Sequence, residues 1–103
     1  MIWACTHGRM KAGQDLVTEL ERQIVLKESD KFEHTCEDAE LTDGEKLAIL
    51  MKEVGEVARA LQARNLPNCL EELIQVAAVA VSWVAGLYAQ NIQKETKSGI
   101  ILP

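Results

Sequence analysis

Aromatic residues are scarce in this chain, and stretches rich in lysine and arginine are missing. Aromatics make up 4% of the 103 residues, so a core has to form from small and aliphatic side chains packed closely. Such a composition favours helices over a β-sandwich. The formal charge is −5, and no basic stretch alternates with aromatics, so binding to DNA or RNA is not expected.

The sequence also lacks a CxxC pair and a long apolar segment near its start. Three widely spaced cysteines, Cys5, Cys36 and Cys69, are typical of free thiols in a reducing compartment. The first residues contain only short apolar pieces broken by charged side chains, which is unlike a secretory signal. We therefore expect a cytoplasmic protein.

A chain of this length fits one domain, because separate hydrophobic cores usually need about 100 residues each. We expect three segments along it. Residues 1–12 are predicted to be a disordered N-terminal extension, residues 13–95 a helical domain, and residues 96–103 a C-terminal tail.

The first helix is predicted to begin between Gly13 and Asp15 and to end near Glu28. Its apolar residues recur on one face, while its charged residues fall elsewhere. The apolar face is formed by Leu16, Leu20 and Ile24, and the charged residues outside it are Glu19, Arg22 and Lys27.

The second helix has a clear beginning. Thr42 and Glu45 form a capping box, in which each side chain accepts a hydrogen bond from an unpaired backbone N–H group. The helix is predicted to run to about Arg64. Its apolar residues recur at steps of three and four and predict one buried seam, formed by Leu47, Leu50, Val54, Val57 and Leu61.

A third helix is predicted from about Cys69 to Gln93, capped by Asn68 after a break at Pro67. The short break predicts an antiparallel hairpin with the second helix. Between Leu73 and Tyr88 this helix is apolar almost all round, so it should be buried on every side.

Two other helices are too few to cover such a surface, and we expect further copies of the chain to complete the burial. The predicted fold is all-α: a helical hairpin plus an N-terminal helix, forming a four-helix-bundle-type core in a homodimer or homotetramer. A membrane span is the rival interpretation. However, the apolar stretch is about 17 residues long and contains Gln75 and Ser82, whereas a bilayer needs about 20.

Polar side chains interrupt the apolar pattern of both hairpin helices. Glu53 and Glu56 are three residues apart and project from nearly the same side of the second helix. Glu72 and Gln75 repeat this spacing in the third helix, among apolar neighbours where polar groups need partners. Converging carboxylates repel one another, and a divalent ion removes that conflict. Oxygen ligands suit Mg²⁺, with Mn²⁺ as a substitute.

The segments Glu53-Val54-Gly55-Glu56 and Glu72-Leu73-Ile74-Gln75 resemble the ExxE and ExxD motifs of the MazG-like, all-α nucleoside triphosphate pyrophosphohydrolase superfamily. The resemblance extends over about residues 16–88. It implies magnesium ligands at Glu53, Glu56, Glu72 and Gln75, and catalytic roles for Glu53 and Glu56. Gln75 departs from the pattern, because it replaces a charged aspartate by an amide.

The implied reaction is hydrolysis of a nucleoside triphosphate to the monophosphate and pyrophosphate, for example to cleanse the nucleotide pool. Gln23, Lys27 and Phe32 are candidate substrate-binding residues, since they offer an amide, a cation and an aromatic face. The replacement at Gln75 favours an alternative, a catalytically silent module that oligomerises or binds nucleotides. A membrane-associated hairpin is a third hypothesis.

Overall fold

The computed structural model describes residues 2–28, 37 and 40–97, and it describes the side chains of residues 5–26, 37 and 40–91. Three helices make up this part of the chain, with no strand among the described residues. They are α1 (Ile2–Glu28), α2 (Asp43–Gln62) and α3 (Leu66–Lys97). The prediction of an all-α fold is confirmed.

Helix α1 is longer than the sequence pattern predicts. It begins at Ile2, so the predicted start between Gly13 and Asp15 is wrong. Glycine lowers helix propensity by only about 1 kcal/mol relative to alanine, and the helix continues through Gly8 and Gly13. Residues 2–12, expected as a disordered extension, are therefore helical.

The capping box of α2 is confirmed. The backbone N–H of Glu45 donates to Oγ1 of Thr42 over 3.1 Å, and the backbone N–H of Thr42 donates to Oε1 of Glu45 over 3.0 Å. Asp43 and Glu45 also place negative charge at the positive end of the helix dipole. Local sequence alone fixes this helix start.

Helix α2 ends in a Schellman motif. The backbone N–H of Asn65 donates to the carbonyl of Ala60, and that of Arg64 donates to the carbonyl of Leu61. Arg64 has a φ of 54°, a left-handed conformation that favours glycine. The chain therefore reverses over three residues, and α3 packs antiparallel to α2.

Helix α3 begins three residues before the predicted start at Cys69. Asn65, rather than Asn68, caps it, since Oδ1 of Asn65 accepts a hydrogen bond from the backbone N–H of Asn68 over 3.1 Å. Pro67 is tolerated in the first turn, where its missing N–H would have no helical partner. The helix extends to Lys97, into the expected tail, and residues 98–103 of that tail lie outside the described residues.

Replacing Arg64 by glycine is expected to raise the free energy of unfolding by about 0.5–1 kcal/mol. A left-handed conformation costs an L-residue about 1–2 kcal/mol, and glycine removes this cost. Glycine also gives the unfolded chain more freedom, which lowers the free energy of unfolding and offsets part of the stabilisation. Urea denaturation at pH 7 measures the change. Ala63→Gly is the matched control, because Ala63 has a φ of −78° and the same change there should destabilise the protein. A parallel shift in both variants would contradict the prediction.

Helix α3 is central, because it packs against both α1 and α2, whereas α1 and α2 do not pack against each other within the described residues. The packing seam of α2 differs from the predicted one. Leu50 and Val57 are partly buried, but Leu47, Val54 and Leu61 are exposed. The side chains most deeply buried on this helix are instead Lys46 and Ala60.

The connection between α1 and α2 touches α3 at Gly86. A Cβ atom at position 86 would lie 2.9 Å from the carbonyl oxygen of Glu37, closer than real contacts allow. Gly86 is buried, so the backbone of the connection passes directly over the helix at this point. Glycine here permits a close approach of two backbones.

Candidate functional site: two polar clusters along helix α3

The first cluster joins α2 to α3 and consists of Glu53, Glu56 and Glu72, which we call the carboxylate cluster. All three side chains are partly buried. Burial is the main cause that raises the pKa of Glu53, and the negative charges of Glu72 and, to a smaller extent, Glu56 raise it further. The positive charge of Lys52 lowers this pKa and so offsets part of the rise. The structure therefore brings Glu53 within electrostatic reach of carboxylates on both hairpin helices.

Glu56 has a cationic neighbour one turn further along α2. Nη1 of Arg59 lies 3.3 Å from Oε2 of Glu56, and the Arg59 side chain is 77% exposed. An ion pair with so exposed a cation contributes little stability and is easily exchanged. Glu56 is thus able to leave Arg59 for another cation.

No ready-made chelating group exists within the ranges described: no three His, Cys, Asp or Glu side chains there form a group that could hold a metal ion. The chemistry of the carboxylate cluster nevertheless fits a hard cation, since it offers only oxygen atoms and Lys52 offsets the charge of Glu53 only in part. Holding an ion at this position requires the three glutamates to converge by changing rotamers. The cluster is therefore a candidate metal site and not a preformed one.

The side chain of Gln75 contacts α1. Its side-chain oxygen accepts a hydrogen bond of 3.4 Å from Nε2 of Gln23 on α1. The i, i+3 spacing predicts that Gln75 shares a metal site with Glu72. In the structure, the contacts described for Gln75 are with α1, whereas Glu72 faces Glu53 on α2.

The second cluster, which we call the α1–α3 network, consists of Glu19, Arg22, Gln23 and Gln75. Glu19 is 9% exposed, although the sequence analysis placed it off the packing face. Nε of Arg22 donates to both carboxylate oxygens of Glu19, at 2.8 and 3.0 Å, and Nη2 of Arg22 also contacts Oε1. Hydrogen bonds from Arg22 hold the pKa of Glu19 below its ordinary value, burial opposes this, and Gln75 adds a further lowering.

Sequence reasoning missed Glu19 because its only signal is a common one. Glu19, Arg22 and Gln23 have the i, i+3 and i, i+4 spacing that also occurs in exposed pairs on helix surfaces. Burial distinguishes the two cases, and burial depends on where α3 packs. The spacing alone could not reveal it.

A cavity of about 740 Å³ lies between α1 and α3 beside this network. Its volume is within the range of roughly 300–1,000 Å³ that is usual for small-molecule sites. Charged and amide groups occur together with apolar side chains along its wall, which includes Glu19, Arg22, Gln75, Leu70, Leu73 and Ile74. The cavity therefore combines an apolar surface with a few oriented polar groups.

Of the predicted substrate-binding residues, Gln23 is the one whose side chain is described. It is partly buried, belongs to the α1–α3 network and lines a smaller cavity of about 190 Å³ with Glu37 and Ser82. Lys27 is in α1, but its side chain lies outside the described part, as does the whole of Phe32.

The two cysteines described, Cys5 and Cys69, are free thiols, as predicted.

Comparison of the chain with protein-family models, with curated proteins and with solved structures finds no match.

Proposed function

We propose that this protein is a magnesium-dependent nucleoside triphosphate pyrophosphohydrolase that acts in the cytoplasm. The substrate would be a ribo- or deoxyribonucleoside triphosphate, cleaved between its α and β phosphates to give the monophosphate and pyrophosphate. One observation carries the proposal: Glu53 is partly buried beside Glu72 and Glu56, and its pKa is raised as a result. Lys52 and Arg59 offset the negative charge of the cluster only in part.

Electrostatics favour a divalent cation as the missing charge. The protein carries a formal charge of −5 and would repel a nucleotide's phosphates unless a cation lay between them. Magnesium prefers oxygen ligands and shares its coordination shell with water and phosphates, which matches an open group of glutamates. Glu53, Glu56 and Glu72 would hold the ion, and manganese is accepted by the same type of ligand.

When bound, magnesium would neutralise phosphate charge and lower the pKa of a water molecule. Removal of that water's proton is assigned to Glu53, which lies within electrostatic reach of both other carboxylates. Glu56 is the alternative proton acceptor, and Glu72 would serve mainly to bind and orient.

The cavity between α1 and α3 is large enough to receive a nucleoside. Gln75 lies at its wall and links it to α1, where Gln23 supplies an amide suited to reading a base edge. Lys27 and Phe32 are proposed to complete base and phosphate recognition. Removal of unwanted nucleotides from the cellular pool is the biological role that this reaction would serve.

A second candidate function is a catalytically silent module that binds nucleotides or only oligomerises. Two observations favour it. The Gln75 side chain, at the position of the fourth predicted magnesium ligand, is engaged with Gln23, and no described group of three acidic, His or Cys side chains is arranged to hold a metal.

An assay of pyrophosphate release separates these two functions. The purified protein is incubated with Mg²⁺ and a panel of ribo- and deoxyribonucleoside triphosphates, and both products are quantified. We expect equal amounts of monophosphate and pyrophosphate, and loss of both in Glu56→Ala. No release from any nucleotide would overturn the enzymatic proposal, and calorimetric binding without release would establish the silent module.

A further inference from the structure

Glu19 is a buried carboxylate that has no role in the proposed reaction. Only 9% of the residue is exposed, and it lines the larger cavity between α1 and α3. Besides the bonds from Arg22, its Oε1 accepts a hydrogen bond of 3.4 Å from Nε2 of Gln23, and the amide of Gln75 also donates to it. Donors from three side chains therefore converge on this one carboxylate.

At neutral pH the Glu19 carboxylate accepts hydrogen bonds and donates none. Hydrogen bonds from Arg22 hold its pKa below the ordinary value, burial opposes this, and the two amides lower it further, so the group is ionised. An ionised carboxylate has no proton to give, and an amide can bond to it only through the NH₂ group. Glu19 thus fixes the orientation of the amides beside it.

The amide of Gln23 is fixed most completely. Its nitrogen carries two hydrogens, and two acceptors lie 3.4 Å from it, Oε1 of Glu19 and Oε1 of Gln75. Rotating the amide by half a turn would point its oxygen at both acceptors and lose both hydrogen bonds, which is unfavourable in a partly buried place. With both hydrogens engaged, Gln23 has only its carbonyl oxygen to offer to a ligand.

A ligand has room beside that oxygen. Gln75 lines the larger cavity and Gln23 lines the smaller one, so the two cavities adjoin at this pair of amides. The smaller cavity has a volume of about 190 Å³ and apolar walls that include Leu20, Ile24 and Ala85. At a packing density of about 0.74, such a space holds roughly 140 Å³ of atoms, which suits one heterocyclic base.

We propose that Glu19 is a positioning residue that makes the site select bases with an amino group opposite the sugar. The base lies in the smaller cavity, and the sugar and phosphates lie towards the larger one. The leading substituent of an entering base is then an amino group in cytosine and adenine, and a carbonyl oxygen in uracil, thymine, guanine and hypoxanthine. Only the amino group can donate to the carbonyl oxygen of Gln23.

This inference rests on the proposed function in one respect, that a nucleoside binds between α1 and α3. It requires neither magnesium nor hydrolysis. A polar site that is left facing the wrong partner discriminates strongly, because two buried acceptors then oppose each other without a hydrogen bond. The expected preference is therefore about 10-fold in affinity, as for one good amide–base contact.

Nuclear magnetic resonance titrations of the ¹⁵N-labelled protein with nucleosides, without Mg²⁺, test the proposal. Wild type should bind cytidine about 10-fold more tightly than uridine, and adenosine about 10-fold more tightly than inosine. In Glu19→Gln both ratios should fall to near one, because a carboxamide at position 19 can also donate and so lets Gln23 turn over. Gln23→Leu should abolish the preference as well, and it covers the case in which Glu19→Gln does not fold.

Ala78→Gly separates positioning from a loss of stability. Ala78 is fully buried on α3 and lines neither of the two cavities, so this variant should be destabilised and keep the wild-type ratios. Equal affinities in the wild type, a preference for uridine and inosine, no binding of any nucleoside, or an unchanged ratio in Glu19→Gln would each overturn the proposal.

The proposed function is judged by a separate measurement. Pyrophosphate release that depends on Glu56, together with equal binding of all nucleosides, would retain the hydrolase and reject the role of Glu19. The amino-group preference without pyrophosphate release would do the reverse.

Discussion

Replacing Glu53 by glutamine is expected to have opposite effects on activity and on stability. Pyrophosphate release should fall by at least about 100-fold, because the variant loses both a cation ligand and the proposed proton acceptor. Without Mg²⁺, the free energy of unfolding at pH 7 should rise by about 0.5 kcal/mol, because repulsion from Glu72 and Glu56 is relieved.

The pH dependence of Glu53→Gln follows from the sign of the shift. Glu53 has a raised pKa in the folded state, so its charged form destabilises the fold, fully so above that pKa. The destabilisation disappears below about pH 4, where the carboxyl is protonated in both states. The stability difference between variant and wild type should therefore be present at pH 7 and absent near pH 3.

Thermal unfolding with and without Mg²⁺ completes this test. The ion should raise the melting temperature of the wild type and leave that of Glu53→Gln almost unchanged. Glu71→Gln is the control, because it changes an exposed neighbour of Glu72. Glu45→Gln is unsuitable for this purpose, because Glu45 caps α2. Equal Mg²⁺ responses of wild type and Glu53→Gln would contradict a metal site at the carboxylate cluster.

Replacing Glu19 by glutamine is expected to lower the free energy of unfolding by about 1–3 kcal/mol at pH 7. The charge-assisted bonds from Arg22 are lost in a buried setting, where an unsatisfied partner is costly. The loss should stay below that of a fully buried pair, because the Arg22 side chain is 51% exposed and remains hydrated. Urea denaturation measures the change.

The pH dependence here has the reverse sign. The pKa of Glu19 is lowered in the folded state, so its contribution is complete above the ordinary carboxyl range and is lost as the pH falls through the folded pKa. Glu21→Gln, on the exposed side of the same helix, should change stability by less than about 0.5 kcal/mol. If both variants lose the same stability, the α1–α3 network does not hold the two helices together.

A local signal in the sequence correctly predicted where α2 begins. The capping box of Thr42 and Glu45 spans only four consecutive residues, so it can be predicted without knowing the rest of the fold. The start of α1 was mispredicted because Gly13 weakens a helix without ending it. The cap of α3 was assigned to Asn68 instead of Asn65 because both asparagines flank the same turn.

Periodicity predicted the existence of apolar faces but not what covers them. Leu47, Val54 and Leu61 recur at helical spacing, which predicts that they lie in the internal seam. In the structure they are exposed, while Leu50 and Val57 face inward. An apolar helix face that stays exposed and one that packs in the chain's own core have the same period. Periodicity therefore cannot tell the two faces apart.

The candidate site shows the same limit. Spacing alone placed Glu53 and Glu56 on one side of α2, and the short hairpin placed Glu72 near them. The direction of Gln75 depends on α1, whose packing position the sequence does not reveal. The sequence therefore predicted which glutamates of the hairpin lie near one another and missed the contact of Gln75 with α1.

The contact between Gly86 and the backbone of Glu37 has a consequence for chain entropy. A glycine inside a helix costs about 1 kcal/mol relative to alanine, partly because the unfolded chain has more freedom at glycine. At this position the same residue leaves room for the backbone of Glu37, which a Cβ atom would fill. The entropy that Gly86 gives up on folding is therefore the cost of letting two backbones meet without a side chain between them.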